Sequence, residues 1–99
     1  MVEVPAFLSP LGQQDPEFAE RLMDLMGMVN AGGALDAKTK TLMSLLGDAI
    51  LGHGDGVAAI AGRARQQGAS DQEIAETVRM AFVMGGLPGL VTATRAFET

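Results

Sequence analysis

The side chains best suited to proton chemistry gather around one short stretch, Gly52-His53-Gly54-Asp55-Gly56, with Asp48 shortly before it. His53 is the only histidine of the chain. An imidazole titrates near neutrality, so it can act as an acid, a base or, when neutral, a metal ligand. One histidine does not make a metal site. His53 with Asp48 or Asp55, drawn from one subunit or from two, can nevertheless form a small acid–base or metal site. A structural reading stands beside it: at the end of a helix, a cationic imidazole interacts favourably with the helix dipole. Asp55 also has two readings, as a catalytic carboxylate or as the N-cap of the helix that follows it. The candidate catalytic residues are therefore His53 and Asp55; no metal or cofactor-binding residue is assigned, and no cofactor is expected.

What is missing narrows the chemistry further. The 99 residues contain no cysteine, which excludes a disulfide scaffold, a thiolate metal site and a thiol nucleophile within them. Twelve acidic and seven basic residues give a net charge of −5, and the basic residues are scattered from Arg21 to Arg95. Nucleic acid, which needs a clustered cationic face, is not an expected partner. The start, Met1-Val2-Glu3-Val4-Pro5, has no cationic run, and no segment is expected to reach the roughly 20 apolar residues of a membrane span. A soluble, cytoplasmic protein without a membrane partner is the expectation. Apolar residues make up 47% of the chain and seven are methionine, more than one small globule usually buries. That favours a homo-oligomer over a methionine-rich monomer core.

The elements that position these residues read as helices. Residues 1–14 carry Pro5, Pro10 and Gly12 without a sustained period and suggest an irregular arm that packs on a neighbour. A single helical domain is expected over 15–99. Asp15 and Pro16 start its first helix as N-cap and first helical residue. Phe18, Leu22, Leu25, Met26 and Val29 then follow one face of a 3.6-residue period. Gly27 within this helix suggests a close helix contact, and Asn30-Ala31-Gly32-Gly33 ends it. Asp36 caps a second helix to about Leu51, with Leu42, Met43, Leu45, Leu46, Ala49 and Ile50 inward and Lys38 and Lys40 near solvent. The glycine junction turns the chain into a third helix, whose Val57, Ile60, Ala61 and Ala64 form a narrow seam, ending at a left-handed Gly68. Ser70-Asp71-Gln72-Glu73 is a capping box for a fourth helix, to Gly85-Gly86. Pro88 starts a fifth, with Leu90, Val91, Thr94 and Phe97. The fold class is all-α, a compact bundle of about five helices.

Leu35-Asp36-Ala37-Lys38-Thr39-Lys40, the glycine junction, Gly68-Ala69-Ser70-Asp71-Gln72-Glu73-Ile74-Ala75-Glu76 and Met84-Gly85-Gly86-Leu87-Pro88, in that order and spacing, resemble the core of the carboxymuconolactone decarboxylase and alkylhydroperoxidase D family. The resemblance covers roughly residues 34 to 98. It implies an all-helical subunit assembled into trimers, hexamers or similar rings, with the active site at the start of the helix after the junction. In the peroxidase branch, that site is a CxxC motif with a histidine beyond it and a glutamate on the preceding helix. Aligned on Gly68-Ala69, the two cysteine positions fall on His53 and Gly56, the histidine on Ile60 and the glutamate on Thr41. All four differ. Without sulfur there is no sulfenate and no disulfide, so cysteine-based peroxidase chemistry is excluded for this chain. The decarboxylase branch likewise keeps a histidine at the position of Ile60, and isoleucine neither moves a proton nor polarises a lactone.

The resemblance therefore implies peroxidase or decarboxylase activity that the residues at hand do not support. Three roles follow: a non-redox homologue binding a small ligand near His53, a structural or interaction subunit partnering a cysteine-bearing homologue, and an acid–base enzyme using His53. The first predicts an enclosed pocket beside His53, the second a filled junction with an exposed apolar face. Arg63, Arg65 and Arg79 can bind a carboxylate ligand, but ordinary pairing with Glu73 or Glu76 is the simpler expectation. Met23, Met26, Met28, Met43, Met80 and Met84 are read as core or interface, or in an oligomer as the lining of an apolar pocket.

Overall fold

The structure, a computed structural model, describes residues 3–98, and all the regular elements among them are helical. They fall into two compact units, one up to Ala31 and one from Gly32.

In the first unit, a 3-10 turn, Ala6–Leu8, leads into α1 (Ser9–Gln14) and then α2 (Pro16–Asn30). The stretch expected as an irregular arm is thus helical from Ala6, while Met1 and Val2 of that arm lie outside the described residues. Pro10 does not prevent this, because it falls in the first turn of α1, where a missing N–H costs nothing. Asp15 caps α2 as expected: its Oδ1 accepts from the Phe18 N–H at 3.1 Å. Along the apolar stripe of α2, Leu22 and Met26 are partly covered, whereas Phe18, Leu25 and Val29 are more than half exposed. A Cβ on Gly27 would meet nothing within 4 Å, so the expected close helix contact is not made among the described residues.

The second unit packs α3 (Ala37–Ile50), α4 (Gly54–Gln66) and α5 (Asp71–Ala93), followed by a 3-10 turn, Thr94–Phe97. Two of the three helix starts have a local side-chain cause. Asp36 Oδ1 accepts from the Thr39 N–H at 2.7 Å to open α3. The capping box of α5 is complete: Ser70 Oγ accepts from the Glu73 N–H, and Glu73 accepts from the Ser70 N–H. Gly68, at φ 95°, is the left-handed residue after α4 that the sequence predicts.

Small side chains dominate the core. Ala49, Ala61, Ala64, Ala81 and Ala93 are fully buried, and among the described residues only Leu45, Val57 and Ile74 are larger apolar residues with no exposure. Burying each of those three contributes about 1.5–3 kcal/mol, while the alanines let the helices approach closely. Met43 and Ile50, expected inward, are on the surface at 56% and 37% exposure. α5 is broken where the sequence predicts two helices: Gly86 takes φ 66°, ψ −164°. Beyond the break, buried Gly89 lies against α5 itself, with the Ala81 carbonyl oxygen 3.0 Å from where its Cβ would stand. The span Asp71–Phe97 is long and apolar enough, by length and composition, to cross a membrane, which corrects the expectation that no segment is. It carries the Gly86 break, and Ile74, Val78, Ala81, Gly89 and Ala93 are buried within the fold.

Candidate functional site

The junction between α3 and α4 owes its geometry to Gly52. Its φ of 81° lets the chain reverse after Ile50, so that the Gly52 N–H reaches the Ala49 carbonyl and the His53 N–H reaches the Asp48 carbonyl at 2.8 Å. This paired arrangement ends a helix while satisfying two of its last carbonyls. It also folds His53 back beside the last turn of α3. The His53 carbonyl then accepts from the Val57 N–H at 2.9 Å, and α4 begins.

Two side chains meet because of that reversal. His53 Nδ1 lies 3.3 Å from Asp48 Oδ1; the carboxylate is 28% exposed and the imidazole 60%. The other Asp48 oxygen, Oδ2, occupies the space that a Cβ on Gly56 would need, and His53 Cβ is 3.6 Å from the same point. Glycine at 56 is what allows the carboxylate to lie there. The Asp48 contact at Nδ1 is of the kind that orients a histidine for proton transfer or ligand binding at its other ring nitrogen.

Asp55, the other candidate, is placed elsewhere. Its fully exposed carboxylate pairs with Arg95 Nη2 at 3.1 Å. The residue before α4 is His53, and no side chain caps it, which corrects the reading of Asp55 as N-cap. Arg95 also pairs with Glu98, and its Nη1 lies 2.9 Å from where a Cβ on Gly54 would stand. Glu98 first and Asp55 second raise the Arg95 pKa. Sequence reasoning missed Arg95 as a neighbour of the junction. It lies far along the chain from Asp55, and no local pattern links them.

The remaining positions of interest are committed to the scaffold. Thr41, where the family glutamate would stand, is buried and donates from Oγ1 to the Ala37 carbonyl at 2.9 Å. Ile60, in the place of the family histidine, packs partly buried against the core. Lys38, expected near solvent, bridges α3 to α5 through Glu73 at 2.9 Å. The Ser70 backbone N–H, and then Lys38, hold the Glu73 carboxyl below its ordinary value, and Glu73 raises Lys38. Arg65 does not pair with Glu73 or Glu76 as expected; it lies 3.6 Å from Asp71 and donates to carbonyls of the C-terminal turn. Among the described residues, no group of three or more metal-ligating side chains is found.

The sequence model of the carboxymuconolactone decarboxylase family matches residues 16–99. The chain belongs to the carboxymuconolactone decarboxylase family. A crystal structure of a carboxymuconolactone decarboxylase family protein from Legionella pneumophila, in its apo form, is similar at a TM-score of 0.85 and 28% identity. The match covers 93% of this chain and 82% of that one. No functionally curated protein matches significantly. The family match takes in α2 as well as the second unit, so it reaches further toward the N-terminus than the motifs from Leu35 to Pro88.

Proposed function

We propose that the protein is a soluble, cytoplasmic, homo-oligomeric member of the carboxymuconolactone decarboxylase family that keeps the helical scaffold without its redox chemistry. The observation that carries this reading is the Asp48 carboxylate in the space of a side chain at residue 56, where the second cysteine would stand. Its role is that of a structural or interaction subunit. Asp48 and Arg95 fill the space beside Gly56 and Gly54, while α5 leaves Met80, Val83, Met84, Leu87 and Val91 exposed. An apolar face of this kind marks an interaction surface. Further copies of the chain cover it, in a trimer or hexamer. Sedimentation tests this: the wild type is expected to be oligomeric and Met84→Lys to shift toward monomer, whereas a monomeric wild type would overturn the reading. Assembly only in the presence of a cysteine-bearing homologue would instead make the protein a heteromeric subunit.

A second reading, binding of a small ligand or acid–base catalysis at His53, is favoured by the contact between Asp48 and Nδ1 of an imidazole that is 60% exposed. It is separated from the first by comparing hydroperoxide and lactone turnover in the wild type and His53→Ala. Turnover lost with the imidazole supports it; no turnover, or turnover unchanged by the substitution, counts against catalysis by His53.

A further inference from the structure

The C-terminal turn Thr94–Phe97 is tied to α4 by two arginines that work in opposite directions. Arg65, in the last turn of α4, donates from Nη2 to the Ala96 carbonyl at 2.9 Å and from Nη1 to the Glu98 carbonyl at 3.4 Å. Its buried Nε has no hydrogen-bond partner among the described residues, with Asp71 Oδ1 only at 3.6 Å, so these carbonyls chiefly hold the guanidinium. Arg95, on the turn itself, reaches the other end of α4, to Asp55 and to the open side of Gly54. Apolar anchoring of the turn is slight, since Ala96 is buried but Phe97 is half exposed. Charge-assisted hydrogen bonds therefore dominate the docking. The first turn of α4 needs such a hold, because Gly54 and Gly56 leave its backbone unusually free.

We propose that Arg65 and Arg95 make the C-terminal turn a strap, so that this turn and the first turn of α4, which follows His53, open and close as one unit. The strap sets the order of the junction from outside it, whatever the junction binds. Local openings of this kind are read by amide exchange. The reporters are the Glu98 N–H, bonded to the Arg95 carbonyl, and the Val57 N–H, bonded to the His53 carbonyl.

In Arg65→Met and in Arg95→Met, exchange at both amides is expected to rise together, by roughly 10- to 100-fold for Arg65→Met and less for the more exposed Arg95 pair. Ile74 and Val78 in the core of α5 should stay protected. About 1 M salt, where screening acts within about 3 Å, should reproduce the Arg95→Met effect in the wild type. The proposal is overturned if Glu98 exchanges faster while Val57 does not, if neither changes, or if the increase spreads to Ile74 and Val78, which would report general destabilisation. If Arg65→Met does not fold, Arg95→Met and the salt series decide the question by the same criteria.

Discussion

Asp48 and Gly56 share one space: the carboxylate of the first stands where any side chain of the second would begin, and the same carboxylate holds His53. Three residues are therefore coupled. A side chain at 56 must displace Asp48, and displacing Asp48 releases the imidazole.

That coupling has a measurable sign. Alanine in a helix is better than glycine by about 1 kcal/mol. In the wild type, Gly56→Ala makes the Asp48 carboxylate swing aside and give up His53, so that gain is expected to be largely cancelled and the variant to be near neutral. In an Asp48→Ala background the same substitution should stabilise by about 1 kcal/mol. Urea unfolding of the four proteins measures the difference, about 1 kcal/mol of coupling. Equal effects of Gly56→Ala in both backgrounds would show that the two residues do not compete.

The capping box gives a second expectation. Ser70→Ala removes the side chain that accepts from the Glu73 N–H at the start of the longest helix. The cost should be about 1 kcal/mol in unfolding free energy. A loss of a few tenths or less would mean that water replaces the cap.

A third concerns pH. In the fold, Glu73 sits below its ordinary value of 4.5, through the Ser70 N–H and then Lys38; Asp36 sits below 3.8, through Thr39. On acidification the unfolded chain therefore takes up these protons first, so their stabilisation is present above the ordinary values and lost as pH falls through the folded ones. Lys38 is raised above 10.5 by Glu73, so its contribution is complete below that value and lost as pH rises through the folded one. All three groups are reached by solvent, Lys38 and Glu73 in part, and the effects should be small. Glu73→Gln keeps a capping side chain but removes the charge. It should flatten the acid limb of stability against pH, and an unchanged limb would assign acid unfolding to other carboxylates.

The fold was legible wherever local hydrogen bonding decides structure. Asp15, Asp36, Ser70 with Glu73, and Gly68 each announce a helix boundary through groups within a few residues, and each is found in that role. The pairing of His53 with Asp48 was legible as one of two alternatives, because both aspartates flank the histidine in the sequence. Which of them it meets depends on the reversal at Gly52. The partner of Asp55 was not legible, since Arg95 lies 40 residues further along the chain, on the turn after α5 that packs against α4. Apolar periodicity located the face of α2, but a period says nothing of what covers a face. Phe18, Leu25, Val83 and Val91 accordingly stay exposed in the single chain.

Consumption of hydroperoxide by the purified protein, free of added thiols, probes the replacement of the sulfur site most directly. We expect no turnover above the buffer rate, because the chain has no cysteine and the space beside Gly56 holds the Asp48 carboxylate. Sustained reduction at an appreciable rate would contradict the claim that this scaffold has been separated from its redox chemistry.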